Sequence, residues 1–462
     1  MPIEHFPLTP IIHPWLKDHI ARPERLLQYM DQHGSPVNLH HLTPFTENIL
    51  EYQRVFEKYT LNYRIYFARK ANKCLAFATQ AATLNQGVDT ASLRELEECL
   101  AAGVSPEKLL LTAAVKNERL LTLAIKNDVT IVADNQDELD HIQKIAESLH
   151  KKPVINIRLG GFIVRGKPLT SRFGFTPAQA AKLIMELQRT HPHLLYQGLH
   201  FHLNGYSIEQ RVCAIEQCVA LIDELNKYGI STVSLDIGGG FLINYLASET
   251  EWHDFHQALR DAILENRPAI TYANDPLGII RIENKLHGEP QVYPYFNSIH
   301  KAAFLEKILT AKSEIFGTPI YQMLRDRQIE IRMEPGRSLL DQAGCTIAKV
   351  TFRKQDTQGN LLIGLEMNRT QLRSSSADFL LDPIHITQNN TAETAGKNEY
   401  HGYLVGAYCL EQEFILKRKL KFEQYPSVGD LFIFLNTAGY MMHFFESEAH
   451  LFHLAENIIE GL

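Results

Sequence analysis

The stretch Tyr66-Phe67-Ala68-Arg69-Lys70-Ala71-Asn72-Lys73 joins a short apolar strand to a helical segment. A side chain at the C-terminal end of a parallel strand points into the mouth of an α/β barrel, where such folds carry their chemistry. A lysine amine placed there can form a Schiff base with an aldehyde once burial or a neighbouring cation lowers its pKa. Lys70 is therefore a candidate catalytic residue, with a solvated surface lysine as the alternative interpretation.

The chain on either side of this stretch alternates short apolar runs with longer amphipathic segments. Eight runs are strand-like, namely Tyr63–Phe67, Val88–Asp89, Leu109–Leu111, Thr130–Ala133, Val154–Leu159, Gln197–His202, Val233–Ile237 and Ile329–Met333. Helical segments such as Leu93–Ala102 and Ile208–Tyr228 lie between most of them. This α/β alternation predicts a closed (β/α)8 TIM-like barrel over residues 40–340. A doubly wound open sheet is the alternative, because periodicity alone cannot show that a sheet closes.

The pattern changes after about residue 340. Five strand-like runs follow without long helices between them, namely Cys345–Phe352, Leu361–Leu365, Tyr400–Val405, Phe414–Leu416 and Leu431–Leu435. They predict an antiparallel β domain over 341–462, which we group with the N-terminal segment 1–39. The polar stretch Gln388–Asn398 predicts a surface loop. Residues 272–326, with a helical pattern at Ser298–Phe316, are predicted to form an insertion between the seventh and eighth barrel strands.

Composition limits the classes of partner. The 462 residues include 46 lysines and arginines against 53 acidic residues, a net charge of −7 that argues against nucleic acid or an anionic membrane. Neither a secretory signal nor an apolar run of membrane-spanning length is visible. The six cysteines are scattered without a Cys-x-x-Cys pair, which predicts free thiols in a reducing cytoplasm and no metal site.

Two further strand ends carry groups suited to a phosphorylated cofactor. Gly238, Gly239 and Gly240 follow the seventh strand, and glycines let backbone N–H groups approach a phosphate closely, although a tight turn has the same pattern. In Met333-Glu334-Pro335-Gly336-Arg337, a carboxylate could face the pyridine nitrogen of pyridoxal phosphate and keep it protonated. Arg337 could pair with a phosphate or a carboxylate, and a Glu–Arg surface pair is the alternative.

His200 and His202 end the sixth predicted strand. Strand alternation places both histidines on one face and Phe201 on the other. One histidine could stack on a flat cofactor ring, and two hydrogen-bonded core histidines are the alternative. A metal pair is disfavoured because no carboxylate or cysteine lies at ligand spacing in the nearby sequence.

Together these segments resemble the fold-type III pyridoxal-phosphate decarboxylases, the group that contains ornithine and diaminopimelate decarboxylases. The motifs occur in the family's order over roughly residues 35–450, including Gly87-Val88-Asp89-Thr90-Ala91-Ser92, Val405-Gly406-Ala407-Tyr408-Cys409 and Asn436-Thr437-Ala438-Gly439-Tyr440. The resemblance implies that Lys70 forms the Schiff base and that Cys409 enters the active site of the partner subunit of a homodimer. It further implies a cofactor-binding set of Lys70, Asp89, Arg158, His202, Gly238, Gly239, Gly240, Glu334, Arg337 and Tyr440.

The chain departs from the family pattern at three positions. A Gly-Ser pair usually follows the key histidine, whereas Asn204-Gly205 follows here, so that Tyr206 or Ser207 would have to replace a phosphate-binding hydroxyl. Leu410 stands where the family has an acidic residue for the distal amino group of the substrate, with Glu411 one step later. Arg373 aligns with a carboxylate-binding arginine but precedes a serine instead of a proline, and a surface role is equally compatible.

The sequence therefore predicts a pyridoxal-phosphate-dependent carboxy-lyase. Its substrate is an amino acid or a carboxylated diamino-acid derivative, bound with the help of Arg373 and Glu411, and the pattern is closer to decarboxylases that trim carboxylated siderophore intermediates. Diaminopimelate decarboxylation is an alternative. An amino-acid racemase is disfavoured by Glu334, because alanine racemases place an arginine at the ring nitrogen. A non-catalytic cofactor carrier is disfavoured by the long C-terminal β domain.

Overall fold

The computed structural model describes residues 4–374, 379–388 and 399–461. These residues divide into two compact units, each built from segments that are separate in sequence. We call Phe45–Leu242 with Ile299–Leu339 the barrel unit. The described parts of Met1–Pro44, Ile243–Ser298 and Leu340–Leu462 form the β unit.

The barrel unit is a closed parallel barrel of eight strands in which each strand pairs with the next along the chain and the eighth pairs with the first. Its strands are Tyr63–Ala68, Gly87–Thr90, Leu109–Leu111, Thr130–Ala133, Val154–Leu159, Leu195–Phe201, Ser234–Asp236 and Glu330–Met333. All eight predicted strands are confirmed to within about two residues. Closure also excludes the doubly wound alternative.

Helices lie between the barrel strands. The helix Leu42–Lys58 precedes the first barrel strand, and the helices of the barrel unit between the strands are Leu75–Thr83, Leu93–Ala101, Glu118–Lys126, Gln136–Ser148, Pro177–Thr190, Ile208–Lys227, Lys301–Thr310 and Ile320–Asp326. Polar side chains start several of them, because a Ser or Asn oxygen accepts an N–H that has no partner within the helix. Ser92, Asn117 and Asn135 cap their helices in this way. A small hairpin, Ile163–Val164 with Lys167–Pro168, follows the fifth strand.

The β unit contains an eight-stranded sheet, a two-stranded hairpin and three helices. The sheet strands are Val37–His41, Gly344–Gln355, Leu361–Leu365, Ile384–Ile386, Tyr400–Val405, Leu420–Phe422, Leu431–Leu435 and Glu456–Glu460. The hairpin is Ile280–Ile282 with Lys285–His287, and the helices are Pro14–Ala21, Pro23–His33 and Glu249–Ile263. One face of the sheet packs its apolar side chains on the N-terminal helices, with Leu26, Met30, Ile347 and Ile433 in a common core.

Two details of the predicted β domain are wrong. The sheet is mixed rather than antiparallel, because Leu361–Leu365 pairs in parallel with Tyr400–Val405 and Val37–His41 pairs in parallel with Glu456–Glu460. The run Phe414–Leu416 is not a strand, since only Phe414 forms a bridge, to Val405, before the chain turns away.

The interval between the seventh and eighth barrel strands is divided differently from the predicted insertion. Its helices Lys301–Thr310 and Ile320–Asp326 belong to the barrel unit, whereas Ile243–Ser298, which includes the helix Glu249–Ile263, groups with the β unit. The helix Lys301–Thr310 buries Phe304, Leu305 and Ile308, which explains why it belongs to the barrel core. Most of the loop predicted at Gln388–Asn398 lies outside the described residues. No helix in the described ranges is both long and apolar enough to cross a bilayer.

Candidate active site

Lys70 lies in the 3-10 turn Arg69–Ala71, directly after the first barrel strand. Its Nζ donates to Oδ2 of Asp89 at 3.0 Å, from the end of the neighbouring strand. Asp89 is fully buried, and its other carboxyl oxygen accepts from the Thr112 hydroxyl. Burial raises the pKa of the Asp89 carboxyl, and the Lys70 ammonium opposes that rise. The barrel mouth thus holds a lysine amine on a buried carboxyl group, while one third of the Lys70 side chain stays exposed.

The preceding residue, Arg69, fixes the turn that carries Lys70. The Arg69 side chain is buried and donates to the backbone oxygen of Glu95 at 2.6 Å and to the Glu98 carboxylate. Both acceptors lie on the helix Leu93–Ala101, outside the strands. Arg69 therefore anchors the turn to the outer helix, and the next residue in the chain, Lys70, contacts Asp89 of the second strand.

Glu334 follows the eighth strand and is buried together with His200 and Asp236. His200 Nε2 lies 3.0 Å from Oε1 of Glu334, and one ligand atom of Asp236 lies within 4.8 Å of both groups. Burial raises the pKa of Glu334, and it raises that of Asp236 well above its usual value, with Glu334 adding to the rise. Burial lowers the pKa of His200 well below its usual value. The imidazole of His200 is therefore neutral and donates its Nε2–H to the Glu334 carboxylate.

The sequence spacing gave no sign of this cluster, because its members come from three different strands. His200, Asp236 and Glu334 together form a donor set that could also hold a cation. The expectation that no carboxylate lies at ligand spacing in the nearby sequence did not address these two carboxylates, which are distant in the chain. One oxygen of Asp236 is already engaged, since it accepts from the N–H of Gly238 at 2.8 Å.

His202 and the three glycines form the adjoining part of the barrel mouth. The N–H of Gly239 donates to Nδ1 of His202 at 3.1 Å, which leaves the imidazole proton on Nε2. Burial lowers the pKa of His202 well below its usual value, so this ring is also neutral. A Cβ on Gly238 would lie 2.5 Å from the backbone oxygen of Phe201, and one on Gly239 would lie 2.5 Å from that of Glu334. Only glycine fits at either position.

The remaining predicted barrel residues are arginines. Arg158 ends the fifth strand, where its Nε lies 3.7 Å from Oδ1 of Asp134 and its guanidinium stacks 4.0 Å from the centre of the Phe173 ring. It is buried, and its charge opposes the rise in the pKa of Glu334. Arg337 is half-buried at the start of the 3-10 helix Arg337–Leu340.

The predicted residues of the β unit lie on three segments. Cys409 and Glu411 are exposed in the turn after the strand Tyr400–Val405, and Arg373 ends the 3-10 helix Arg369–Leu372. The first two segments are linked, because the N–H of Arg369 donates to Oε1 of the buried Glu413 at 2.8 Å.

Tyr440 lies on the third segment, in the turn after the strand Leu431–Leu435. It has a positive φ of 71°, and its ring meets that of Phe444 edge-on at 5.7 Å between ring centres. Tyr440 thus adopts the left-handed backbone conformation, which few residues other than glycine and asparagine favour.

Sequence reasoning missed one residue that contacts the glycine loop directly. Arg211 lies on the helix Ile208–Lys227 and donates to the backbone oxygens of Gly239 and Gly240 at 2.8 and 2.9 Å. A usable signal was present, because Arg211 shares the spacing of Ala214, Ile215 and Cys218 on the buried side of that helix. A lone arginine on an apolar helix face indicates a buried polar function.

The residues in the barrel mouth fit pyridoxal phosphate. A lysine amine, a glycine cradle that a Cβ would fill and a buried carboxylate lie at adjacent strand ends. Several buried polar atoms there have no hydrogen-bond partner in the described chain, namely Nδ1 of His200, Oδ2 of Asp236, Nε of Arg158 and Nε of Arg211. Buried polar atoms are normally paired, so this group of unpaired atoms indicates a ligand site.

A sequence model of the pyridoxal binding domain of pyridoxal-dependent decarboxylases matches residues 45–276, which is half of the chain. The chain belongs to this family. It is 28% identical over 450 residues to the uncharacterized protein y4yA of Sinorhizobium fredii, covering 96% of this chain and 92% of that protein. It is 23% identical over 416 residues to the diaminopimelate decarboxylase of Staphylococcus aureus, covering 88% and 84% of the two chains.

Solved structures share the fold at lower identity. The diaminopimelate decarboxylase of Helicobacter pylori in complex with L-lysine has a TM-score of 0.65 at 20% identity, over 91% of this chain and 89% of that one. The lysine/ornithine decarboxylase of Vibrio vulnificus in complex with cadaverine has a TM-score of 0.69 at 18% identity, over 97% and 98% of the chains. The predicted barrel with a C-terminal β domain is confirmed, and the chain is a pyridoxal-phosphate-dependent amino-acid decarboxylase.

Proposed function

We propose that the barrel mouth is the catalytic site and that Lys70 is the residue that binds the cofactor aldehyde. The observation that carries this proposal is the hydrogen bond of 3.0 Å between Lys70 and the buried Asp89. The exposed part of the lysine can react, while the carboxyl group fixes the direction of the amine. The glycines Gly238, Gly239 and Gly240 face the same mouth and are the proposed binding site of the cofactor phosphate.

The proposed chemistry divides roles among named side chains. Pyridoxal phosphate, when bound, supplies the electron sink that stabilises the charge left on Cα as carbon dioxide departs. Glu334 would keep a proton on the pyridine nitrogen of the cofactor, and neutral His200 orients that carboxylate through its Nε2–H. His202 would help to hold the cofactor ring. Cys409, supplied by the partner subunit, returns a proton to Cα.

We further propose that the substrate has no free ammonium group at its distal end. Leu410 occupies the position next to Cys409 where the resemblance leads us to expect an acidic residue, and a leucine cannot pair with an ammonium. The buried Glu413 cannot substitute, because Arg369 holds it through a backbone N–H and the guanidinium. Arg373 is the candidate for binding a distal carboxylate. Glu411 is the remaining candidate for a polar contact with the substrate.

A homodimer is part of this proposal. Large apolar side chains are exposed along the C-terminal part of the β unit, including Phe444, Phe445, Leu451 and Phe452. A patch of this kind indicates a protein interface. A reducing compartment such as the cytoplasm is proposed because all six cysteines are free thiols.

The test is a carbon dioxide release screen over D- and L-diamino acids, meso-diaminopimelate and carboxylated amines, with Lys70→Ala as the matched inactive control. We expect release with an amino acid whose distal end is neutral or carboxylated, and none with the control. Release from ornithine, lysine or meso-diaminopimelate, each of which carries a distal ammonium group, would refute the substrate proposal. Inversion of the substrate without release of carbon dioxide would instead identify a racemase.

A further inference from the structure

Arg211 joins the two loops that follow the sixth and seventh barrel strands. Its Nη1 donates to the backbone oxygen of Gly205 at 3.1 Å and to that of Ser207 at 3.5 Å. Its Nη2 donates to the oxygens of Gly239 and Gly240 at 2.8 and 2.9 Å. A single guanidinium therefore bonds to carbonyl groups of both loops. The fit is close, because a Cβ on Gly240 would lie 2.5 Å from Nη2 of Arg211.

The positive charge of Arg211 has no carboxylate partner among the described residues. The side chain is 1% exposed and lies between Phe241 and Phe304, whose ring centres are 5.8 and 5.6 Å from the guanidinium carbon. Burial lowers the pKa of Arg211 to about 10. A buried cation that is paired only with neutral dipoles is destabilising until an anion approaches. The Nε atom of the same side chain also has no hydrogen-bond partner.

The glycine loop is oriented so that an anion can approach on the side opposite the guanidinium. The N–H groups of Gly238 and Gly239 bind Asp236 and His202. The N–H groups of Gly240 and Phe241 donate no hydrogen bond in the part of the chain that the structure describes. Because Arg211 binds the carbonyl oxygens of Gly239 and Gly240, it fixes the peptide planes that carry these two unused donors.

The hydroxyl usually found after the key histidine of this family is also missing here, as Asn204-Gly205 replaces Gly-Ser. Ser207 stands five positions after His202, where its Oγ caps the helix Ile208–Lys227 by accepting from Gln210 at 3.2 Å. The family hydroxyl is therefore absent from its usual position, and Arg211 is a buried positive charge bonded directly to this loop and to the glycine loop.

We propose that Arg211 is a positioning residue for the cofactor phosphate. It fixes the glycine loop from its carbonyl side and supplies the charge that the phosphate dianion neutralises, in place of the missing hydroxyl. This inference rests on the proposed placement of the cofactor at Lys70.

The test separates phosphate binding from general stability. Holoenzyme is stripped of cofactor and reloaded with either pyridoxal phosphate or pyridoxal, which lacks the phosphate, and each Kd is read from the absorbance of the lysine adduct. For Arg211→Met we expect Kd for pyridoxal phosphate to rise about 30-fold and Kd for pyridoxal to change by less than about threefold. Inorganic phosphate should slow reloading of the wild type with pyridoxal phosphate but not that of the variant.

Two further variants complete the design. Arg327→Met removes another barrel arginine, one that pairs with Asp223 at 2.6 Å, and should leave both Kd values unchanged. If Arg211→Met does not fold, Arg211→Lys decides, because it keeps the charge but cannot reach all four carbonyl groups. That variant should weaken binding of pyridoxal phosphate about tenfold and spare pyridoxal.

An affinity for pyridoxal phosphate within about threefold of wild type in the folded variant would overturn the role of Arg211, and so would an equal loss for both ligands. Failure of the wild type to form an adduct at Lys70 would instead refute the proposed function. The two failures are therefore distinguishable.

Discussion

Replacing Glu334 by glutamine should lower the rate of decarboxylation while leaving cofactor binding intact. The substitution conserves shape, and the Nε2–H of His200, now 3.0 Å from Oε1 of Glu334, can still donate to an amide oxygen. What disappears is the negative charge that holds a proton on the pyridine nitrogen. A hydrogen bond to a charged group contributes about 1.5–3 kcal/mol, so a loss of about 2 kcal/mol predicts a roughly 30-fold lower kcat.

The same substitution should lower kcat but raise the free energy of unfolding of the apoenzyme. Burial raises the pKa of Glu334 in the folded protein, so ionisation of this group costs folding free energy as pH rises above the usual carboxyl pKa. The glutamine variant does not ionise, and its apoenzyme should therefore gain resistance to urea relative to wild type between pH 5 and 8. The sign follows from the raised pKa: the stability of the wild type is complete at low pH and declines as pH rises through the folded-state value.

The rate is measured as steady-state release of carbon dioxide. Stability is measured by urea unfolding of the apoenzyme at pH 5 and at pH 8. The matched control is Glu330→Gln on the same strand, where the carboxylate pairs with Arg332 at 2.6 Å at the opposite end of the barrel. That variant should keep kcat within about threefold, because a partly exposed ion pair contributes little. An unchanged kcat in Glu334→Gln would show that Glu334 does not act on the ring nitrogen.

Three further predictions follow from the same site. Borohydride reduction of the holoenzyme should place the cofactor adduct on Lys70, and an adduct on another lysine would contradict the assignment. Mixing inactive Lys70→Ala and Cys409→Ala variants should restore part of the activity, since a heterodimer carries one intact site; no recovery after verified subunit exchange would place both residues in one chain. Gly240→Ala should lose cofactor, because its Cβ would lie 2.5 Å from Nη2 of Arg211 at a φ of +79°, a strain of about 1–3 kcal/mol; full occupancy measured by absorbance would contradict this.

The barrel could be predicted from the sequence because each of its strands is a short apolar run between helices. The β unit was only partly predictable. Val37–His41 is a strand because it pairs with Gly344–Gln355 and Glu456–Glu460, segments about 300 and 400 residues away in the chain. The parallel pairing of Leu361–Leu365 with Tyr400–Val405 is equally non-local. Local patterns carry no information about such partners, so the strands Val37–His41 and Glu456–Glu460 and the parallel pairings were missed.

The candidate site was likewise only partly predictable from the sequence. Lys70 and Glu334 were found because each follows a strand, and strand position predicts the side of a barrel on which a residue lies. The cluster of His200, Asp236 and Glu334 depends on contacts between strands, and its raised and lowered pKa values depend on burial. Neither the contacts between strands nor the burial can be inferred from the spacing of these residues in the sequence.

The substitution Leu410→Glu tests the proposal that the substrate has no distal ammonium group. The turn that carries Leu410 is exposed, as is its neighbour Glu411, whereas the buried Glu413 is already held by Arg369. A glutamate at position 410 would place a carboxylate where the resemblance leads us to expect the acidic residue that binds a distal ammonium group. We expect the variant to gain release of carbon dioxide from lysine or ornithine and to lose it from the native substrate, because the new charge repels a distal carboxylate. If the relative rates on these substrates do not change, this turn does not contact the distal end of the substrate. Arg373 or another part of the site must then bind it.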